Sequence, residues 1–338
     1  LPGRLLHVNI LGCGIFAAVS GSSAATTATI GRMSLPELKQ RGYDERMAIG
    51  TLAGSGTLGL LIPPSHNMII YSAASGIGVS IGDLFLAGIV PGVMTAALLM
   101  FVAWRVAVRR GYASGAFPGW RTFLRALLFA IPGLMTAIII MGGILSGIFT
   151  ATESSAIAVI YTIAIGAFVY RTLGWKRFSE AAMQSVKITS MVLLIIGAAT
   201  AFGYALAILE APAKLADMIT SATSNPILVL LIVNVILLVL GTFMDMSPLI
   251  IITTPILLPV VMEVGVDPVH FGIVMMLNLG IGLVTPPVGS VLFVGSAVGK
   301  VPVEEAVKTI WPFYGALLLA LMIITFVPAL SLTLPNLF

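Results

Sequence analysis

Apolar stretches dominate the chain, and the places where they stop or break define its elements. Ala126 to Gly147, Ile188 to Leu209 and Phe313 to Leu334 each exceed the roughly 20 apolar residues that a helix needs to cross a bilayer. Other apolar segments are interrupted. Leu5 to Ile30 has a polar centre, SGSSAATTA, between two short apolar arms, and Pro226 to Met262 has FMDMSPL in the same position. Each predicts a re-entrant hairpin, which survives at membrane depth only where it is buried in protein or faces water. Met47 to Ser75 and Phe271 to Gly299 predict spans made of two half-helices, broken at Pro63–Pro64 and Pro286–Pro287, because proline donates no amide and obstructs the preceding turn. Gly82 to Trp104 and the pair Ala126 to Gly147 with Ser154 to Tyr170 predict unbroken helices, and Arg32 to Arg46 a connecting loop.

The broken segments are copies of one another. Residues 54 to 76, GSGTLGLLIPPSHNMIIYSAASG, align with 277 to 299, LNLGIGLVTPPVGSVLFVGSAVG, at an offset of 223. Gly59, Leu60, Pro63, Pro64, Ala74 and Gly76 answer Gly282, Leu283, Pro286, Pro287, Ala297 and Gly299, and upstream the same offset pairs Pro36 with Pro259, Gly42 with Gly265 and Asp44 with Asp267. Matches in Pro, Gly and Asp are not what a hydrophobic composition supplies by accident, so the unit is duplicated. Matched Pro and Gly interruptions in two halves of a membrane chain point to a transporter's binding site. Counted back by the same offset, residues 126 to 223 have no counterpart after Leu1. About one hundred further N-terminal residues are therefore expected upstream; a second half that gained helices would explain the offset equally.

Composition excludes a soluble fold: 59% of the residues are hydrophobic, 9% are charged, and the mean hydropathy is +1.11. The expected class is an all-α polytopic membrane protein. The net charge of +4 comes from basic residues gathered in loops, so it reports topology and not nucleic-acid binding. Arg32, Lys39, Arg41 and Arg46 mark one cytoplasmic loop, while the matched stretch Glu263 to Pro268 holds no Lys or Arg. Matched loops that differ in this way belong on opposite faces, as an inverted repeat requires. The single cysteine, Cys13, excludes an internal disulfide, and the scattered His7, His66 and His270 give no transition-metal spacing. No GxxxxGK[ST] stretch is present, and AVSG around Ser20 lacks a GxSxG elbow, so neither an ATPase nor a serine hydrolase is expected.

The polar residues inside the apolar segments carry the candidate chemistry. Asp245 is the sole ionisable side chain between Pro226 and Met262, and a carboxylate at membrane depth costs at least about 2.5 kcal/mol. Two readings stand for it: a cation or substrate site at the hairpin tip, or a helix cap at an aqueous pocket. Ser20, Gly21, Ser22, Ser23, Thr26 and Thr27 form the expected first tip, whose hydroxyls and freed carbonyls are hard ligands suited to sodium, or else small residues for close helix packing. At the proline breaks, carbonyls just before Pro63 and Pro286 lose helical partners and can bind a cation. The half-helices beyond aim their positive ends at the same region and can hold an anion. Thr285, Gly289 and Ser290 at one break, and Ser65, His66 and Asn67 at the other, are the expected polar lining. Glu153, three residues after Thr150, has capping-box spacing and is read as a helix start.

Five stretches, GCGIFAAVSGSSAATTATIG, GTLGLLIPPSHNMIIY, GIFTATESSAIAVIY, GTFMDMSPLIIITTPILLPV and NLGIGLVTPPVG, closely resemble the large membrane subunit of tripartite ATP-independent periplasmic (TRAP) transporters. The resemblance implies a multi-pass subunit of the bacterial inner membrane that works with a small membrane subunit and a periplasmic substrate-binding protein. It implies sodium-coupled uptake by an elevator motion, in a fold like that of the ion transporter superfamily. Sodium ions are then the coupling ions, and no other cofactor is expected. Carried onto this chain, it implies sodium at Ser20, Gly21, Ser22 and Ser23 with Ile62 and Pro63, and again at Asp245 with Thr285, Pro286 and Gly289. It implies an organic acid between the tips, near Ser22, Ser23, Thr26, Asn67, Asp245, Ser247, Thr285 and Ser290. Residues 1–76 and 226–299 would be the transport regions, and 77–225 with 300–338 the scaffold. Ile208 stands where sialate-transporting members place an arginine, which favours a C4-dicarboxylate or similar carboxylate over sialate. A binding-protein-independent sodium/anion symporter of like architecture, and less readily an ion channel, would use the same broken helices.

Overall fold

The computed structural model describes residues 2–112, 119–210, 214, 218 and 225–337. The chain is all-helical. Among the described residues six helices are long and apolar enough to cross a membrane: Ile81–Arg109, Trp120–Leu145, Ala151–Val169, Trp175–Leu206, Met246–Glu263 and Val303–Phe326. The helices fall into two compact units, Leu1–Gly115 with Gly203–Phe338, and Ala116–Phe202.

In the first unit, α1 (Arg4–Ser20) stops because Gly21 adopts a left-handed conformation (φ 64°) that L side chains disfavour, its N–H returning to the Ala17 carbonyl. Ser22 is extended and its hydroxyl accepts the Ala25 N–H at 3.3 Å, which starts α2 (Ser23–Gln40). The tip is therefore the Gly21–Ser22 step, and Ser23, Thr26 and Thr27 belong to the first turns of α2. The expected loop Arg32 to Arg46 shrinks to Arg41–Asp44. Basic side chains do not end a helix, Pro36 is accommodated within α2, and Arg41 pairs back to Glu37 at 2.8 Å.

Asp44 caps α3 (Glu45–Gly56), accepting the Arg46 N–H at 3.0 Å. A 3₁₀ turn, Thr57–Leu60, leads into the Pro63–Pro64 break, and α4 (His66–Ser75) and α5 (Ile81–Arg109) follow. The second repeat retraces this order as α9 (Pro226–Gly241), α10 (Met246–Glu263), α11 (Pro268–Gly282), α12 (Ser290–Gly299) and α13 (Val303–Phe326). Shifting Ser23–Gln40 by 223 gives the bounds of Met246–Glu263, and the same shift carries the cap Asp44 onto Asp267, which accepts the Val269 and His270 N–H groups. The C-terminal apolar stretch expected over Phe313 to Leu334 starts earlier, α13 beginning at Val303, and Pro328 ends it near Phe326 before a short α14 (Ala329–Leu332).

The half-helices before the breaks form the centre of this unit. Every residue from Met47 to Gly56 in α3 and from His270 to Gly282 in α11 is buried, as all-round apolar helices must be. α13 and α5 both pack on α3, and α9 packs on α11. Glycines permit the closest approaches: a Cβ on Gly282 would lie 2.6 Å from the Gly241 carbonyl carbon, and one on the matched Gly59 would lie 2.2 Å from Ala17 Cβ. A polar staple crosses the apolar interior, with Asn278 Nδ2 donating to Asn234 O and Oδ1 at 3.0 and 2.7 Å, and Asn234 Nδ2 donating to Thr325 Oγ1 at 3.0 Å.

The second unit consists of α6 (Trp120–Leu145), α7 (Ala151–Ala164, continued by a π turn at Ile165–Val169) and α8 (Trp175–Ile208) as far as Phe202. α6 and α7 pack together, and the Tyr161 hydroxyl donates to the Pro132 carbonyl at 3.0 Å. Thr150 and Glu153 form the capping box that their spacing predicts. Large apolar side chains such as Phe129 (71% exposed) and Leu194 (75%) lie on its surface, which suits lipid or a partner helix and not water. The stretch Glu210 to Asn225, between α8 and α9, lies largely outside the described residues.

Candidate functional site

The two tips and the two breaks meet at one cavity of about 120 Å³. Its wall comprises Gly21, Ser22, Ser23 and Ala24 from the first tip, Asp245, Met246 and Ser247 from the second, His66 and Asn67 at the start of α4, Ser290 and Val291 at the start of α12, and Leu60 and Leu283. The helices α2, α4, α10 and α12 all begin here. Each helix N-terminus presents unpaired amides and roughly half a positive charge. Four of them around one small space create a field that favours an anion.

The two repeats also touch across this space, where the Ser247 hydroxyl donates to Asn67 Oδ1 at 3.1 Å. Asp245 occupies the N-cap position of α10, yet its carboxylate accepts no capping hydrogen bond. Of its two sequence readings, the helix cap is therefore not realised, and the carboxylate is left at the cavity for another partner. His66 faces the same space, its ring so close to Gly21 that a Cβ there would stand 2.7 Å from Nδ1.

Three hydroxyls near the first break and tip lack partners. Ser23 Oγ, Thr26 Oγ1 and Ser65 Oγ are buried without a hydrogen bond. A buried hydroxyl left unpaired costs about 1–3 kcal/mol, so such a group calls for water or a cation.

The structure does not gather every expected residue at the cavity. Ser20 ends α1, and Ile62 and Pro63 lie half-buried in the break. Thr285 and Pro286 line a separate apolar cavity of about 290 Å³ with Val284, Val307, Ile310, Trp311 and Tyr314. Gly289, left-handed at φ 47°, is the residue before α12 and is not among those lining the cavity.

At the second break the carbonyls of Ile281, Gly282 and Leu283 keep hydrogen-bond partners. Ile281 O accepts Val284 N–H and the Thr285 hydroxyl, Gly282 O accepts Thr285 N–H, and Leu283 O accepts Val291 N–H at 3.0 Å. Tightening into a 3₁₀ turn and the return of the α12 amide replace what proline removes. Leu60, Leu283, Met246 and Val291, the apolar part of the wall, carried no signal in the sequence beyond Leu60 and Leu283 being repeat partners.

A chain of long apolar helices whose broken ends converge on a small polar cavity is a membrane transport protein. It belongs to a particular family: the profile of the tripartite ATP-independent periplasmic transporter, DctM component, matches residues 1–330. The protein is thus a transporter permease and not an enzyme. It is 44% identical over 338 residues to the uncharacterized protein YgiK of Salmonella typhimurium, covering 100% of this chain and 77% of the relative. It is 40% identical over 336 residues to the C4-dicarboxylate TRAP transporter large permease protein DctM of Pseudomonas aeruginosa, covering 99% and 78%. It is also 40% identical over 333 residues to the isethionate TRAP transporter permease protein DctMQ of Oleidesulfovibrio alaskensis, covering 98% and 52%.

Proposed function

We propose that this permease imports a small organic acid coupled to sodium, receiving it from a periplasmic binding protein and working with a small membrane subunit in the bacterial inner membrane. The observation that carries the reading is the convergence of four helix starts and both tips on one cavity. Helix N-termini favour a carboxylate or sulfonate there, while Asp245 and the unpartnered hydroxyls of Ser23, Thr26 and Ser65 supply oxygens for cations. The relatives named for C4-dicarboxylate and isethionate transport support an acid of this size, and Ile208 in place of an arginine speaks against sialate. The family's tripartite designation supports the two partners.

In this proposal the matched repeats lie inverted in the membrane, each with a re-entrant hairpin, and the body carrying both hairpins moves as an elevator. Residues 1–76 and 226–299 form its centre. Residues 77–225 and 300–338 form the scaffold against which it moves. The test is uptake into proteoliposomes holding the complete transporter, with the binding protein supplied. Uptake is expected to require an inward sodium gradient. Equal uptake with potassium in place of sodium refutes the coupling, and equal uptake without the binding protein refutes that dependence.

A further inference from the structure

α2 and α12 begin at the cavity, and at their other ends a groove of about 400 Å³ opens between them. Arg32, Lys39 and Lys300 line it, with Glu45 as its acidic member. Glu45 pairs with Lys39 at 2.5 Å. Among the described residues no carboxylate lies within ion-pair distance of Arg32 or Lys300. The groove thus keeps two unneutralised cations above an apolar wall of Leu35 and Val298.

Basic residues at the cytoplasmic end of a membrane helix are commonplace, so the charge alone assigns nothing. Two comparisons within the molecule tie it to the groove. The repeat supplies a second copy of these positions, and there Arg32, Lys39 and Lys300 are answered by Pro255, Met262 and Ile77, none of them charged, while Leu35 and Pro36 are answered identically by Leu258 and Pro259. The apolar framework is retained and the cations are added on one side alone. The second comparison is conformational. α4 ends on Gly76 in the left-handed region (φ 67°), whereas its repeat partner Gly299 is still helical in α12 and the left-handed cap falls one residue later, on Lys300 at φ 54°, ψ 35°. A lysine held where glycine fits freely is strained, and strain of this kind persists where a side chain is needed at that spot.

We propose that this groove binds a phosphate-bearing anion, the headgroup of an acidic phospholipid or a free polyphosphate, with Arg32 and Lys300 as its ligands. The guanidinium fork matches two phosphate oxygens, and the lysine supplies a point charge opposite. The apolar wall beside the cations suits the glycerol end of a lipid. Since α2 and α12 each run from the cavity to the groove, an occupant held by Arg32 on one and Lys300 at the end of the other ties together two elements whose starts form the cavity wall.

The test uses the full-length protein in phosphatidylcholine nanodiscs, without a sodium gradient, so it stands apart from the transport reading. Binding of short-chain phosphatidylglycerol and of inorganic pyrophosphate is measured for the parent, R32Q/K300Q, K300G and the control R109Q, whose basic residue ends α5 and is not among those lining the groove. At least one probe is expected to bind the parent and R109Q equally, and R32Q/K300Q and K300G at least tenfold more weakly. K300G is expected to melt no earlier than the parent, so its loss of binding is not loss of fold. Binding of the lipid alone assigns the membrane as the source, and binding of pyrophosphate assigns a soluble anion. Failure of both probes to bind the parent, undiminished binding to R32Q/K300Q, or an equal loss in R109Q overturns the proposal.

Discussion

Gly59→Ala offers the sharpest test of how the first tip is held to the first break. The new Cβ would lie 2.2 Å from Ala17 Cβ, whereas ordinary contact begins at 3.4 Å, so α1 and the 3₁₀ turn must separate by about 1.2 Å or distort. Overpacking of this kind costs about 1–3 kcal/mol. The obstruction is one methyl group, and removing it should restore much of the loss. With Ala17→Gly the nearest remaining atom is Ala17 Cα at 3.1 Å, a contact that a small adjustment relieves. Ala17→Gly alone should cost about 1 kcal/mol, the price of a glycine inside a helix. The double variant is then expected to be more stable than the sum of the single changes by about 1–2 kcal/mol, within the range of coupling between touching residues. Thermal melting of the purified protein in one detergent measures all four forms, with each kcal/mol worth roughly 2–4 °C. Melting shifts that add, to within about 0.5 kcal/mol, refute the contact. The matched Gly282→Ala should show no comparable rescue, because its obstruction is the backbone of Gly241.

Asp245→Asn is expected to impair uptake while leaving expression and melting near those of the parent, and unchanged sodium dependence of uptake rejects a role for the carboxylate. A cysteine probe at Lys39 should label from the cytoplasm and one at Asp267 from outside, in a Cys13→Ser background; labelling of both from one side breaks the inverted-repeat reading. Partial burial raises the Asp44 carboxyl, but hydrogen bonds from Arg110 and the Arg46 N–H, and the charges of both arginines, outweigh it and hold it below the ordinary aspartate value. A lowered folded value means that this stability is present above the unfolded value, near pH 3.9, and is lost as pH falls through the folded one. The melting gap between the parent and Asp44→Asn should therefore close below about pH 4, and a gap constant from pH 7 to 3 refutes that link.

The breaks, the tips and their duplication were legible because they rest on residues with strong local consequences. Gly21 takes a left-handed turn, Pro63 and Pro286 remove helical donors, and Asp44 and Asp267 cap helices at matched positions. That Asp245, Ser22 and Asn67 would share a cavity followed from the pairing of tips with breaks. The extent of α2 was not legible, since Arg32 and Lys39 mark a membrane face without ending a helix. Nor could the sequence reveal that Val291 would supply the hydrogen bond Leu283 needs, because that depends on how the chain returns after the prolines. Thr285 and Pro286 lie outside the cavity for a similar reason: adjacency to a break does not say which side of it a residue lines.

The Asn278–Asn234–Thr325 staple, set among half-helices with no free face, bears on how force can pass through this protein. A helix buried on all sides cannot slide without dragging its neighbours, and sliding α9 past α11 would strip the two hydrogen bonds between Asn278 and Asn234 in apolar surroundings, while the third ties α9 to α13. Load applied to one hairpin is therefore shared by the whole body, much as in a welded frame. Work done at a cavity of about 120 Å³ can then displace something far larger than the cavity itself.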